Sequence, residues 1–87
     1  MDREKLVEIL EVLKSELNET HEVEDKDRIQ KVIFDVQQLI DYFEDADHDR
    51  KNLKDRLRQY VDHFERTHPK LASQIGHVVE MLSQMGI

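Results

Sequence analysis

One stretch of the sequence has the spacing of a metal site, the alternating carboxylates of Asp45 to Asp49. Alternating carboxylates open the calcium loop of an EF-hand, because they present oxygen ligands to a hard cation. The sixth position of that loop needs glycine for a sharp turn, and the twelfth needs a glutamate that closes the site. Arg50 and Arg56 occupy those two positions here. Calcium binding is therefore the weakest function we consider, and an acidic loop between helices is favoured.

The histidines and the remaining acids indicate no catalytic centre. No two histidines are four residues apart and no HExxH motif occurs, so zinc coordination from one helix has little support. The absence of cysteine excludes thiolate metal sites and cysteine nucleophiles. The serines lie in ordinary helical contexts, and no hydrophobic pocket is evident that would shift the pKa of a carboxyl. We expect no catalytic residue, no metal ligand and no cofactor. The histidines are His21, His48, His63, His68 and His77.

A basic group lies between Arg50 and Arg58, directly after the acidic stretch. Residues 1–50 hold 16 acidic and 7 basic residues, whereas residues 51–87 hold 4 acidic and 6 basic residues. Clustered basic side chains bind phosphate backbones, which makes a small regulatory adaptor for nucleic acid or ribosomes the alternative function. The net charge of −7 and the interleaved acids work against that alternative.

Composition and periodicity predict a small all-α protein. Two glycines, one proline and 38% charged residues favour long helices over a turn-rich sheet. We predict one domain over residues 1–87, an antiparallel bundle of three to four helices whose first two form a helical hairpin. The helices are expected at about residues 3–18, 25–44, 50–66 and 69–85.

Each predicted helix carries an apolar stripe at spacings of three and four residues, which places the stripe on one side of the helix. These stripes are expected to form the core. In chain order they are Leu6, Ile9, Leu10, Leu13 and Leu17; then Ile29, Val32, Ile33, Val36, Leu39, Ile40 and Phe43; then Leu53, Leu57, Tyr60, Val61 and Phe64; and last Leu71, Ile75, Val78, Leu82 and Met85.

Four apolar residues fall outside these stripes and are candidates for subunit contacts. Val7 and Val12 flank the first stripe on opposite sides, and Phe34 and Tyr42 point away from the second. A domain of this length buries only about 60 to 65% of its unfolded surface, so association would help to stabilise it. We therefore predict a non-enzymatic protein-association module, most simply a homodimer.

The junction before the last helix is marked by His68 and Pro69. Proline suits the first position of a helix and disfavours helical geometry in the residue before it, so Pro69 either separates helices three and four or kinks one rod. His68 is expected to belong to this junction, where its side chain could cap the helix. Gly76 is expected to allow close approach of a neighbouring backbone, and Gly86 to end the helix.

A distinctive pattern in the C-terminal part of the sequence consists of Phe64-Glu65, His68-Pro69, Leu71-Ala72, Ile75, Leu82 and Met85-Gly86-Ile87. This pattern resembles a family of short proteobacterial helical proteins classed as a domain of unknown function. The resemblance implies a helical fold and a bacterial setting, and it brings no activity, cofactor or catalytic residue.

No apolar run approaches the ~20 residues that span a bilayer, and the N-terminus lacks a signal-peptide pattern. We therefore expect a soluble, cytoplasmic protein without membrane contacts.

Overall fold

The structure, a computed structural model, describes residues 3–41 and 50–86. Its helices are α1 (Arg3–Glu19), α2 (Val23–Asp41), α3 (Arg50–Phe64) and α4 (Pro69–Gln84), and the described residues contain no strand. The predicted all-α bundle is confirmed. α2 begins two residues earlier than expected, and its expected end near residue 44 lies outside the described residues.

The four helices pack in a ring with one weak seam. α3 and α4 make the most extensive contact, α1 and α2 form the predicted hairpin, and α1 also packs against α4. The contact between α2 and α3 is the smallest of the four. The bundle is therefore least closed along the seam between α2 and α3.

The predicted stripes supply most of the core, because their spacing places them on the inner side of each helix. Leu17, Ile33, Tyr60 and Val61 are only partly buried against this core. Met85 was predicted in the last stripe, but its side chain is 38% exposed because it follows the final helical residue. Phe43 lies outside the described residues. The core consists of Leu6, Ile9, Leu10, Leu13, Ile29, Val32, Val36, Leu39, Ile40, Leu53, Leu57, Phe64, Leu71, Ala72, Ile75, Val78 and Leu82.

The junction between α3 and α4 separates two helices. Residues 65–67 form a turn, and Pro69 is the first residue of α4. The backbone carbonyl of His68 accepts a bond from the amide of Ala72, but the side chain of His68 makes no capping hydrogen bond. Its imidazole is turned toward α2 instead, so the suggestion that this side chain caps α4 is wrong.

Gly76 lies inside α4 and Gly86 lies just after its last residue, and the two glycines have different roles. The expected close approach at Gly76 is wrong, since a Cβ there would meet no atom within 4 Å. Gly76 borders an open depression between α3 and α4 that Val61 and Glu65 also line. Gly86 has φ +84° and its amide donates to the carbonyl of Ser83, so the chain leaves α4 through a left-handed residue. Gly86 ends the helix as expected.

Candidate association surface on the second helix

The outer face of α2 consists of Val23, Asp27, Gln30, Lys31 and Phe34. At about 100° per residue these five fall within roughly 100° of one another, opposite the side that carries the buried residues of α2. All five are exposed. α2 therefore buries one side in the bundle and leaves the other side exposed, with α3 bordering it across an open groove.

The outer face of α2 holds the two most exposed large hydrophobic side chains in residues 3–41 and 50–86. Val23 is 72% exposed and Phe34 is 62% exposed, compared with 43% for Val7 and 38% for Met85. Single exposed apolar residues are normal on a protein surface. Two on one helix face, including an aromatic ring, mark this face as a surface suited to association.

An open groove of about 350 Å³ runs beside Phe34, along the seam between α2 and α3. Its apolar portion comes mainly from the rings of Phe34 and Tyr60, and Tyr60 is half-buried. The charged side chains along it have both signs. The groove is lined by Asp27, Gln30, Lys31, Phe34, Asp35, Arg56 and Tyr60.

Polar contacts join α2 to α3 on either side of this groove. Arg56 Nη2 of α3 lies 3.4 Å from Asp35 Oδ1 of α2. His63 Nε2, near the end of α3, lies 3.4 Å from Asp25 Oδ1 at the start of α2. Later positions on α2 thus meet earlier positions on α3, as antiparallel neighbours require. These two polar contacts therefore connect the pair of helices that makes the smallest of the four main contacts in the described bundle.

Asp25 forms the centre of a buried polar cluster with Arg28, His63 and His68. Its side chain is only 8% exposed. Arg28 Nη1 lies 3.2 Å from Oδ1, and His68 Nε2 lies 3.2 Å from Oδ2. A buried carboxylate must be hydrogen-bonded to be tolerated, and here each oxygen has at least one donor. The cluster therefore fixes the start of α2 against the junction of α3 and α4.

The pKa of the Asp25 carboxyl shows which groups dominate this cluster. Burial alone raises that pKa, but the hydrogen bonds from His68 and His63 and their charge outweigh burial, so the pKa lies below its ordinary value of 3.8. Asp25 is therefore ionised at neutral pH and can only accept hydrogen bonds. Each histidine must carry a proton on Nε2 to donate to it.

The aromatic ring of Phe64 supports both histidines from the core side. Phe64 is fully buried, and its ring meets His63 and His68 edge to face at centroid distances of 5.0 and 5.5 Å. Such arrangements favour a fixed ring orientation.

Within residues 3–41 and 50–86 no group of three or more His, Cys, Asp or Glu side chains is placed to hold a metal ion. The cluster joins helices and presents no open metal site.

The residues proposed from the sequence for subunit contacts lie in different environments. Phe34 is strongly exposed, Val7 of α1 is less exposed, and Val12 of α1 is partly buried. Tyr42 lies outside the described residues, as does the acidic stretch Asp45 to Asp49. The structure leaves Val23 exposed on the same face of α2 as Phe34, although the sequence patterns did not single out Val23.

The basic side chains of α3 that the structure describes lie in different environments. Leu53 and Leu57 are buried, and Arg56 is engaged by Asp35 across the seam. The side chains of Lys51 and Arg58 are exposed, and that of Lys54 is half-buried. Tyr60 packs against the core beside Phe64, with ring centroids 6.5 Å apart, and it also lines the groove beside Phe34.

Asp25 was missed as a core residue, although the sequence carries a signal for it. Asp25 precedes Ile29 by four residues and Val32 by seven, so it continues the apolar stripe of α2 toward the N-terminus. A carboxylate in register with a buried stripe needs partners in the interior. The identity of those partners, His63 and His68, depends on the tertiary fold.

The comparisons with known proteins agree with the resemblance seen in the C-terminal residues. The family model described as "Domain of unknown function (DUF4404)" matches residues 6–87. The chain belongs to this family. No curated protein matches the chain, and no solved structure matches it. Among the described residues, no helix of this DUF4404 protein has the length and apolar character needed to span a membrane.

Proposed function

We propose that this DUF4404 protein is a non-enzymatic protein-association module that forms a homodimer through the outer face of α2. The observation that carries the proposal is the exposure of Phe34, 62% of whose side chain lies in solvent beside an open groove. An aromatic ring offers a large apolar area with few rotatable bonds, which makes it an effective anchor in an interface.

The energetics of a short helical chain support association. Fully burying a phenylalanine side chain contributes roughly 1.5 to 3 kcal/mol relative to leaving it exposed. A bundle of 87 residues has a limited core, and it has no disulfide to constrain the unfolded chain. Covering the outer face of α2 with a second copy would add apolar burial where the bundle itself supplies none.

The non-enzymatic part of the proposal rests on the state of Asp25. This is the one charged residue that is buried in residues 3–41 and 50–86. Arg28, His63 and His68 occupy its oxygens, so the carboxylate is committed to structural hydrogen bonds. We place the dimer in the bacterial cytoplasm, because the C-terminal residues resemble those of a bacterial family and the sequence has no cysteine for disulfides.

Sedimentation velocity across protein concentrations tests the proposed homodimer. We expect the wild-type protein to shift from monomer to dimer between about 1 μM and 1 mM, the range of a moderate interface. Phe34→Ala should move this transition to higher concentration by at least about tenfold, because it removes the anchoring ring.

Met85→Ala is the matched control, since it also truncates an exposed hydrophobic side chain. Met85 follows α4, a helix that packs mainly against α3 and α1 rather than against α2. It should dimerise like the wild type. Circular dichroism should show equal helicity for all three proteins. A wild-type protein that remains monomeric at about 1 mM, or a Phe34→Ala variant that dimerises normally, would overturn the proposal.

A further inference from the structure

We infer that two copies pair through antiparallel α2 helices that cross near residues 28 and 29, with Val23 of each copy packed on Phe34 of the other and Asp27 facing Lys31. This inference rests on the proposed homodimer and specifies its contact. It identifies the partner of the outer face of α2 as the same face of a second copy.

The spacing of Val23 and Phe34 is the first observation. They are eleven residues apart, which is about three helical turns, or roughly 16 Å along the axis, and their directions differ by only about 20°. Both therefore project from the same line on α2, and both are strongly exposed. A covering surface must offer two apolar contacts at this separation.

The same helix provides those two contacts when it runs in the opposite direction. In an antiparallel pair related by a two-fold axis, each residue faces the one at an equal distance beyond the crossing point. The midpoint between Val23 and Phe34 lies at residues 28 to 29. A crossing at this point places each valine on the phenylalanine ring of the other copy, twice by symmetry.

The charges on this face give an independent indication of the same crossing point. Asp27 and Lys31 are both exposed, and their side chains make no hydrogen bond or ion pair in the part of the chain that the structure describes. Their midpoint is residue 29. Both residues lie on the same side of the line that joins Val23 to Phe34 along α2. In an antiparallel pair with two-fold symmetry, this side of one helix lies beside the same side of the other helix. Each Asp27 therefore meets Lys31 of the other copy.

These features favour a second copy over an unrelated helix. A partner helix would need two apolar residues about three turns apart, with a basic and an acidic residue between them in the reverse order. α2 itself carries that pattern. The pairing contains no like charges opposite each other at positions 27 and 31, so the face is complementary to itself.

A charge-exchange series tests this register by sedimentation. Asp27→Lys alone places two lysines opposite each other at both symmetric contacts, and Lys31→Asp alone places two aspartates there. Each single variant should raise the dimer dissociation constant by about tenfold or more. The double variant Asp27→Lys/Lys31→Asp restores opposite charges, so its dissociation constant should return to within about threefold of the wild-type value.

The matched control exchanges Arg58 and Asp62, which are also four residues apart and exposed, but on α3. Arg58→Asp/Asp62→Arg and its two single variants should dimerise like the wild type. If the wild type dimerises but the double variant at positions 27 and 31 has a dissociation constant as high as those of the single variants, this register is overturned. The homodimer itself would still stand. A monomeric wild type would overturn the homodimer itself.

Discussion

Asp25 and His68 are 43 positions apart in the chain, yet Asp25 Oδ2 and His68 Nε2 lie 3.2 Å from each other. Through this contact the first turn of α2 is tied to the residue that precedes α4. His63 approaches the other oxygen of the same carboxylate from the end of α3. One ionised side chain thus links α2 to α3 and to the residue that precedes α4.

Removing the charge of Asp25 should destabilise the fold. We expect Asp25→Asn to lower the free energy of unfolding by about 1 to 3 kcal/mol at neutral pH, because one side-chain amide cannot accept from all three donors. Urea unfolding followed by circular dichroism measures the change. Asp62→Asn removes a charge from an exposed position on α3 and should stay within about 0.5 kcal/mol of the wild type. Equal losses in the two variants would contradict the role of the cluster.

The contribution of Asp25 should disappear in acid. Since the pKa of its carboxyl is lower in the folded protein than the ordinary 3.8, the charge stabilises the fold above that value and ceases to do so as pH falls through the folded pKa. The difference in unfolding free energy between the wild type and Asp25→Asn should therefore be complete above about pH 5 and shrink below about pH 4. Urea titrations at several pH values test this, and a difference that grows in acid would contradict it.

Gly76→Ala should stabilise the protein. Gly76 lies inside α4 without a positive φ, and an added Cβ would meet no atom within 4 Å. Alanine restricts the unfolded chain and has a higher helix propensity, so the free energy of unfolding should rise by about 0.5 to 1 kcal/mol. A higher melting temperature in differential scanning calorimetry would support this. A lower one would mean that α4 tolerates no side chain at position 76.

The same substitution at Gly86 should have the opposite sign. The φ of +84° places Gly86 in a conformation that residues with a Cβ adopt at a cost, although open space surrounds it. We expect Gly86→Ala to lower the free energy of unfolding by about 0.5 to 1 kcal/mol, a modest loss because the last turn of a helix can fray. Thermal unfolding of Gly86→Ala and Gly76→Ala in parallel measures both changes in stability. Shifts of equal sign would show that helix propensity alone governs both positions.

Much of the bundle could be predicted because its information is local. The spacing of Leu6, Ile9 and Leu13 marks the inner side of α1 whatever that side packs against, and Pro69 and Gly86 mark the two ends of α4 by their backbone preferences. The expectation about Gly76 failed because it depends on the position of a neighbouring helix, and the expectation about Met85 failed because α4 ends one residue before it. Neither open space beside a glycine nor the exposure of a side chain after the last turn follows from periodicity.

The sequence by itself determined that this chain forms amphipathic helices, which sides they bury, and that Phe34 lies off the buried side of α2, since all of these follow from residue type and helical period. The tertiary structure decided which helices are neighbours and left the seam between α2 and α3 most open. It also decided that Asp25 is buried against His63 and His68, and that the surface on which Phe34 and Val23 lie stays uncovered. Those features depend on contacts between residues distant in the chain, and no local spacing encodes which distant side chains will meet.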